Sequence, residues 1–175
     1  MPFHKPKIRT ALFVCLITPA LGGCWFSNSD FYSNETPLTP FSAGPIRTVN
    51  LDDQTASHSV LSVSQGTYRI GSVGYFRLYP LPGASSDYMI LDVTRVLCLQ
   101  ASCPPSVQHY YGLAHRTSSG VEELMHGDCT TAEAENLGAE PPGALGNCEF
   151  KNRNALEKAL LTLIGTKATS ITYEE

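Results

Sequence analysis

Tyr88-Met89-Ile90-Leu91-Asp92-Val93-Thr94-Arg95-Val96-Leu97-Cys98-Leu99 is the stretch on which the fold turns. Successive side chains of a strand point to opposite faces, so a strand with one wet face alternates apolar and polar residues. Here both parities are apolar, with Tyr88, Ile90 and Val96 on one and Met89, Leu91, Val93 and Leu97 on the other. The pattern predicts a central strand covered on both faces, or one that bends.

Other strands flank it. Thr67-Tyr68-Arg69-Ile70 passes through Gly71-Ser72-Val73-Gly74 into Tyr75-Phe76-Arg77-Leu78-Tyr79, aromatic and β-branched runs around a glycine-bearing turn. That pattern predicts a hairpin. His109 to Thr117 and Val121 to His126 form a second hairpin around Ser118-Ser119-Gly120, in which His115 falls opposite a residue near 122. Ile46 to Leu51 and His58 to Val63 are short strands, and Ile171-Thr172-Tyr173 reads as a final edge strand.

Helix signals come late. Thr130 with Glu133 is a capping-box pattern, and Gly138 ends the short helix it begins. Ala155 to Ile164 is the better helix, capped by Asn154 and stopped by Gly165. Leu156, Leu160, Leu163 and Ile164 share one face, which must pack on the sheet because so short a helix is marginal alone. The fold class is therefore α+β: a mainly antiparallel sheet of hairpins, one packed C-terminal helix and a short second helix.

The N-terminal segment has a different character. Lys5, Lys7 and Arg9 precede an apolar run from Ala11 to Leu21, and Leu21-Gly22-Gly23-Cys24 follows. The run lies within the roughly 7–15 residues of a signal peptide and well below the roughly 20 of a spanning helix. Charge, length and box together resemble a bacterial prolipoprotein. The resemblance implies cleavage before Cys24, a thioether-linked diacylglycerol on its sulfur and an acyl chain such as palmitate on its new amino group. It also implies a location in the cell envelope. Trp25 follows the cysteine in place of the aspartate associated with inner-membrane retention, so in a Gram-negative host the expected place is the outer membrane, facing the periplasm. No other cofactor is expected. The domain organisation reads as a signal peptide over 1–23, a lipidated tether rich in Ser, Asn and Pro over 24–45, and a disulfide-bonded globular domain over 46–175. Five aromatic residues, Trp25, Phe26, Phe31, Tyr32 and Phe41, are unusual in a tether; they suit contact with lipid headgroups or docking onto the domain.

Without residues 1–23 the chain has nine basic residues against sixteen acidic ones, a net charge of −7. Phosphate binding needs clustered Lys and Arg, so nucleic acid is excluded as an expected partner. With Cys15 in the leader and Cys24 lipidated, Cys98, Cys103, Cys129 and Cys148 remain, an even number in an oxidising compartment. Of their three pairings, Cys98–Cys103 with Cys129–Cys148 closes the most local loops; the crossed pairings stay open.

Catalytic patterns are weak. The chain has no G-x-S-x-G nucleophile elbow and no glycine-rich phosphate loop. Disulfide cysteines carry no thiolate. The acids Asp52-Asp53 and Glu122-Glu123 are adjacent pairs, which in a strand point apart, and Asp128 has the place of a turn residue. His109, His115 and His126 share one hairpin but need not converge, so they read as isolated surface histidines or as satisfied ones, and no metal is expected. Tyr75, Arg77, Tyr79, Tyr110, Tyr111 and Arg116 form the candidate interface, since Tyr and Arg are enriched where proteins meet. Half-buried sheet faces want the same tyrosines. The expected role is a non-catalytic binding or structural one, with the membrane and an envelope protein as partners. The alternatives are a periplasmic inhibitor or immunity protein, using loops at 100–108 or 138–147, and an envelope hydrolase.

Overall fold

The computed structural model describes residues 25–50, 54–70, 74–97, 106–118, 120–125, 129–141, 147–165 and 169–174. The both-faced strand is β6 (Tyr88–Leu97), and its neighbours are β5 (Gly74–Pro80) and β7 (Ser106–Thr117), both antiparallel to it. From β5 the sheet continues through β4 (Thr67–Ile70), β3 (Ala56–Ser64) and β2 (Gly44–Asn50). From β7 it continues through β8 (Gly120–Met125) to β10 (Thr169–Glu174). β10 then pairs with β2, so the eight strands close into an antiparallel ring. Two short strands, β1 (Trp25–Ser27) and β9 (Cys148–Glu149), continue the sheet beyond the free part of the β7 edge. The α+β class is as expected, and both hairpins are present with His115 opposite Glu122.

One correction concerns Ile171-Thr172-Tyr173. It is not an edge strand, because β2 lies on one side of it and β8 on the other. A strand that joins the two ends of a meander has no exposed edge, which removes the unpaired donors and acceptors that an open sheet must otherwise protect.

Two cores result from the two faces of β6. The pairs Tyr68/Phe76, Leu78/Leu91 and Met89/Ala114 share the inner face and pack with Ile46, Leu61 and Val121 inside the ring. Outer-face positions such as Arg47, His58, Ser62 and Arg69 are exposed. A membrane-spanning barrel has the reverse arrangement, polar within and apolar without. Among the described residues, no helix is long and apolar enough to cross a membrane.

The second core lies on the outer face of β5, β6 and β7. There Tyr79, Ile90 and Leu113 pack against α1 (Thr131–Leu137), α2 (Arg153–Thr162) and Phe150. The Thr130–Glu133 capping box forms, and Gly138 ends α1 at φ 69°. In α2 the cap is Asn152 rather than Asn154: its side chain accepts from the Asn154 amide at 2.8 Å, and the helix starts two residues earlier than expected. Leu156, Leu160 and Leu163 are buried as their spacing requires. Cys129 and Cys148 stand at disulfide distance, with Cα atoms 5.6 Å apart. Cys98 and Cys103 lie outside the described residues, as do residues 1–24.

A second correction concerns the tether. Residues 25–45 belong to the fold: Trp25 and Tyr32 are buried, and the Leu38 amide donates to the Leu78 carbonyl at 2.7 Å. Polar composition is outweighed here by aromatic area, roughly 150–250 Å² per ring. Tyr32 stacks on Tyr79, Phe31 on Tyr111, and Phe41 packs against Tyr68.

Two outcomes follow from this architecture. Thr172→Pro removes a ladder donor from a strand paired on both edges, so it should lower the unfolding free energy by about 3 kcal/mol, read from urea titration; near-wild-type unfolding would mean that β10 does not close the ring. Reducing the Cys129–Cys148 bond, which spans 19 residues, should cost about 3 kcal/mol, and non-reducing peptide mapping should recover these two cysteines in one fragment.

Candidate functional site

Strand register builds the site. Arg77 of β5 stands opposite Asp92 of β6, Asp92 opposite Tyr111 of β7, and Tyr111 opposite Trp25 of β1. One step along, His109 is flanked by Thr94 and Ser27. These side chains share the outer face of the ring, and the turn that follows β1 lies over them. Asp92 is fully buried, and His109 and Ser27 are nearly so. His109 Nδ1 lies 3.0 Å and 3.3 Å from the two Asp92 carboxylate oxygens. Asp30, on the covering turn, lies 3.7 Å from the Arg77 guanidinium.

Burial pushes the Asp92 carboxyl above its ordinary value, against the pull of the His109 hydrogen bond and charge. The bond to Asp92 raises His109 in turn, against its own desolvation. Tyr111 is raised by burial, then by the nearby Asp92 charge. Arg77 is raised by its hydrogen bond to Tyr79, and its Nε donates to Thr67 Oγ1 at 3.2 Å.

The covering turn is secured at several points. Asp30 Oδ1 accepts from the Tyr32 amide, and Ser27 Oγ accepts from the Ser29 amide. The Tyr111 hydroxyl donates to the Ser29 carbonyl and accepts from the Phe31 amide, both at 3.3 Å. On the far side Tyr32 donates to Glu157 of α2, and Arg153 lies 4.4 Å above the Tyr32 ring while pairing with Glu35 and Glu157.

Asp30, Asp92 and His109 offer three ligand atoms within 4.8 Å of one another, so these are the residues that could hold a cation. Arg77 already supplies positive charge to the same cluster. With His109 protonated, two carboxylates face two cations, and the group is balanced by its own side chains. Its chemistry is that of a buried, mutually compensated ion network, in which the pair survives burial because each charge meets a partner.

The site departs from the sequence reading in several places. His109 is a satisfied histidine, as the sequence allowed, and its partner is Asp92. His115 stacks on Tyr88, and His126 lies outside the described residues. The proposed aromatic interface is not one surface. Tyr79 and Tyr111 are core residues, Arg77 is half-buried over the cluster, and Tyr75 stands exposed under Arg69. Tyr110 and Arg116 have the opposite parity, with Tyr110 opposite Val93 and Arg116 opposite Val121. Asp92 and Asp30 were missed. Asp92 did carry a signal, a lone acid in the middle of a strand covered on both faces, where an unpaired charge is almost never tolerated. Nothing local marks Asp30.

No protein-family model matches the chain, no curated protein matches it, and no solved structure matches it.

The cluster generates a pH prediction. His109 binds its proton more tightly in the native state than unfolded, so its contribution to stability is full below the ordinary value of 6.5 and is lost as pH rises through the higher native value. Asp92, also raised, acts with the same sign at lower pH. The urea midpoint should fall from about pH 6 to about pH 9, and Asp92→Asn should flatten that slope. His109→Ala should cost about 3–5 kcal/mol, because it strands a buried carboxylate. A loss no larger than that of Asp92→Asn would show that the carboxylate does not depend on His109.

Proposed function

We propose that this protein is a lipid-anchored lipoprotein of the bacterial cell envelope with a non-catalytic binding or structural role. The observation that carries the reading is the leader: a basic start, a short apolar run and Leu21-Gly22-Gly23-Cys24. Lipid at Cys24 anchors stably because two or more acyl chains, each contributing about 0.8 kcal/mol per buried CH₂, hold far better than one. In a Gram-negative host the anchor is expected in the outer membrane, facing the periplasm. The non-catalytic part of the reading is supported by burial. Asp92, His109 and Tyr111 face into packed protein under the 28–35 turn, whereas a reacting group has to meet its substrate.

The partner is an envelope component. A specific feature also favours the inhibitor reading: Cys148 holds the end of the 138–147 loop to Cys129, and Gly138, Glu140 and Pro141 at its start are exposed.

Cys24→Ser should abolish acylation and leave a larger precursor that keeps its leader; a normally sized soluble product would overturn the lipoprotein reading. For the role itself, tagged wild-type protein is captured from detergent-solubilised envelope, with Cys24→Ser protein as control. A single stoichiometric envelope protein is expected. An anchored protein that brings down nothing would count against protein binding and turn attention to small-molecule ligands and to hydrolysis.

A further inference from the structure

Trp25 follows Cys24 directly and is already part of the sheet. It pairs with Tyr111 on one side and Cys148 on the other, its ring meets Phe150 edge-on at 5.5 Å, and it is 2 % exposed. Adjacent Cα atoms are about 3.8 Å apart. An acylated Cys24 therefore has no slack between its lipid and the folded domain. We propose that the protein is seated directly on the bilayer, with the start of β1 and the adjoining β9 at headgroup level and no flexible spacer between membrane and fold. This rests on the lipoprotein reading and adds to it the geometry of the anchor.

Three features fit the arrangement. β1 is hydrogen-bonded along both edges, so a pull on the anchor loads these bonds in shear along the strand. β9 is tied to the start of α1 through Cys148 and Cys129, which braces the outer neighbour of the anchored strand. The segment from Ser27 to Glu35 is then fixed to β5 through Asp30, to β7 through the Phe31 amide and to α2 through Tyr32 and Glu35, so no hinge follows the anchor. A flexible tether of the length first expected would have given a root-mean-square reach of about 25 Å. Without it, the protein reaches only across its own width, roughly 40 Å for a domain of this size. The partner this fits is a surface at the membrane itself, an integral or membrane-apposed envelope protein.

Trp25 is the single tryptophan of the chain, which makes the test direct. Acylated mature protein is reconstituted into phosphatidylethanolamine/phosphatidylglycerol vesicles with or without nitroxide-headgroup lipid, and Trp25 emission is measured on the floated fraction. The wild type should lose most of its emission to the nitroxide. A variant with a Gly/Ser spacer of about 20 residues between Cys24 and Trp25, root-mean-square span about 25 Å, should float equally well and recover the emission seen in unlabelled vesicles. Matching emission of the two proteins in detergent checks that the spacer leaves the fold intact. Wild type that floats but is quenched no more than the spacer variant would overturn the seated arrangement while leaving the lipoprotein reading standing. Protein whose mass shows no acyl chains and which does not float would overturn the lipoprotein reading, and the seated arrangement with it.

Discussion

Closure of the ring by β10 is the constraint on which the other features depend. A meander of strands β2 to β8 leaves two open edges, each a row of unpaired backbone donors and acceptors. β10 meets both, taking β2 on one side and β8 on the other. Once the ring is closed, β6 must have an inside and an outside, and its residues are divided between them. Met89 and Leu91 join the interior, while Ile90 and Asp92 lie beneath the helices and the N-terminal turn. The chain between β8 and β10 is long enough to carry α1, β9 and α2, and these cover the outer face that the ring leaves apolar.

That outer face also explains the ion network. A buried carboxylate is tolerable only where other groups compensate it. Asp92 has His109 one diagonal step away on β7, and Arg77 directly opposite on β5. Asp30 completes the set from the turn after β1, far from Arg77, Asp92 and His109 in sequence. The network is thus a fastening: it holds the turn after β1 against the sheet, while the Tyr32–Glu157–Arg153–Glu35 group holds the same turn to α2. Both sets of polar contacts secure the segment that follows β1, so the electrostatics of the site hold the N-terminal part of the described chain on the sheet and on α2.

Local signals set the elements that were legible beforehand. Aromatic and β-branched runs marked the hairpin strands, apolar residues on both parities marked β6, a Ser-Ser-Gly turn placed His115 against Glu122, and Thr130, Glu133 and Gly138 bracketed α1. Each depends on residues within a few positions of one another. The cap of α2 was misplaced because Asn152 and Asn154 are both competent caps, and the choice between them depends on where Leu156 and Leu160 meet the sheet. Tyr79 and Tyr111 are core residues rather than interface ones, the alternative already open in the sequence, because a half-buried strand face and a binding face favour the same side chains.

The α+β class, the two hairpins, both helices and the acidic charge could all be read along the chain. These follow from composition and short-range pattern. The tertiary structure alone decided that the last strand is central, that residues 25–45 are packed rather than free, and that Asp30, Asp92, His109 and Arg77 form one cluster. In each case the deciding contact joins residues far apart in the chain. Hydrogen bonding along a strand edge and compensation of a buried charge are satisfied by whichever partner the closed ring brings near, and no local pattern specifies that partner.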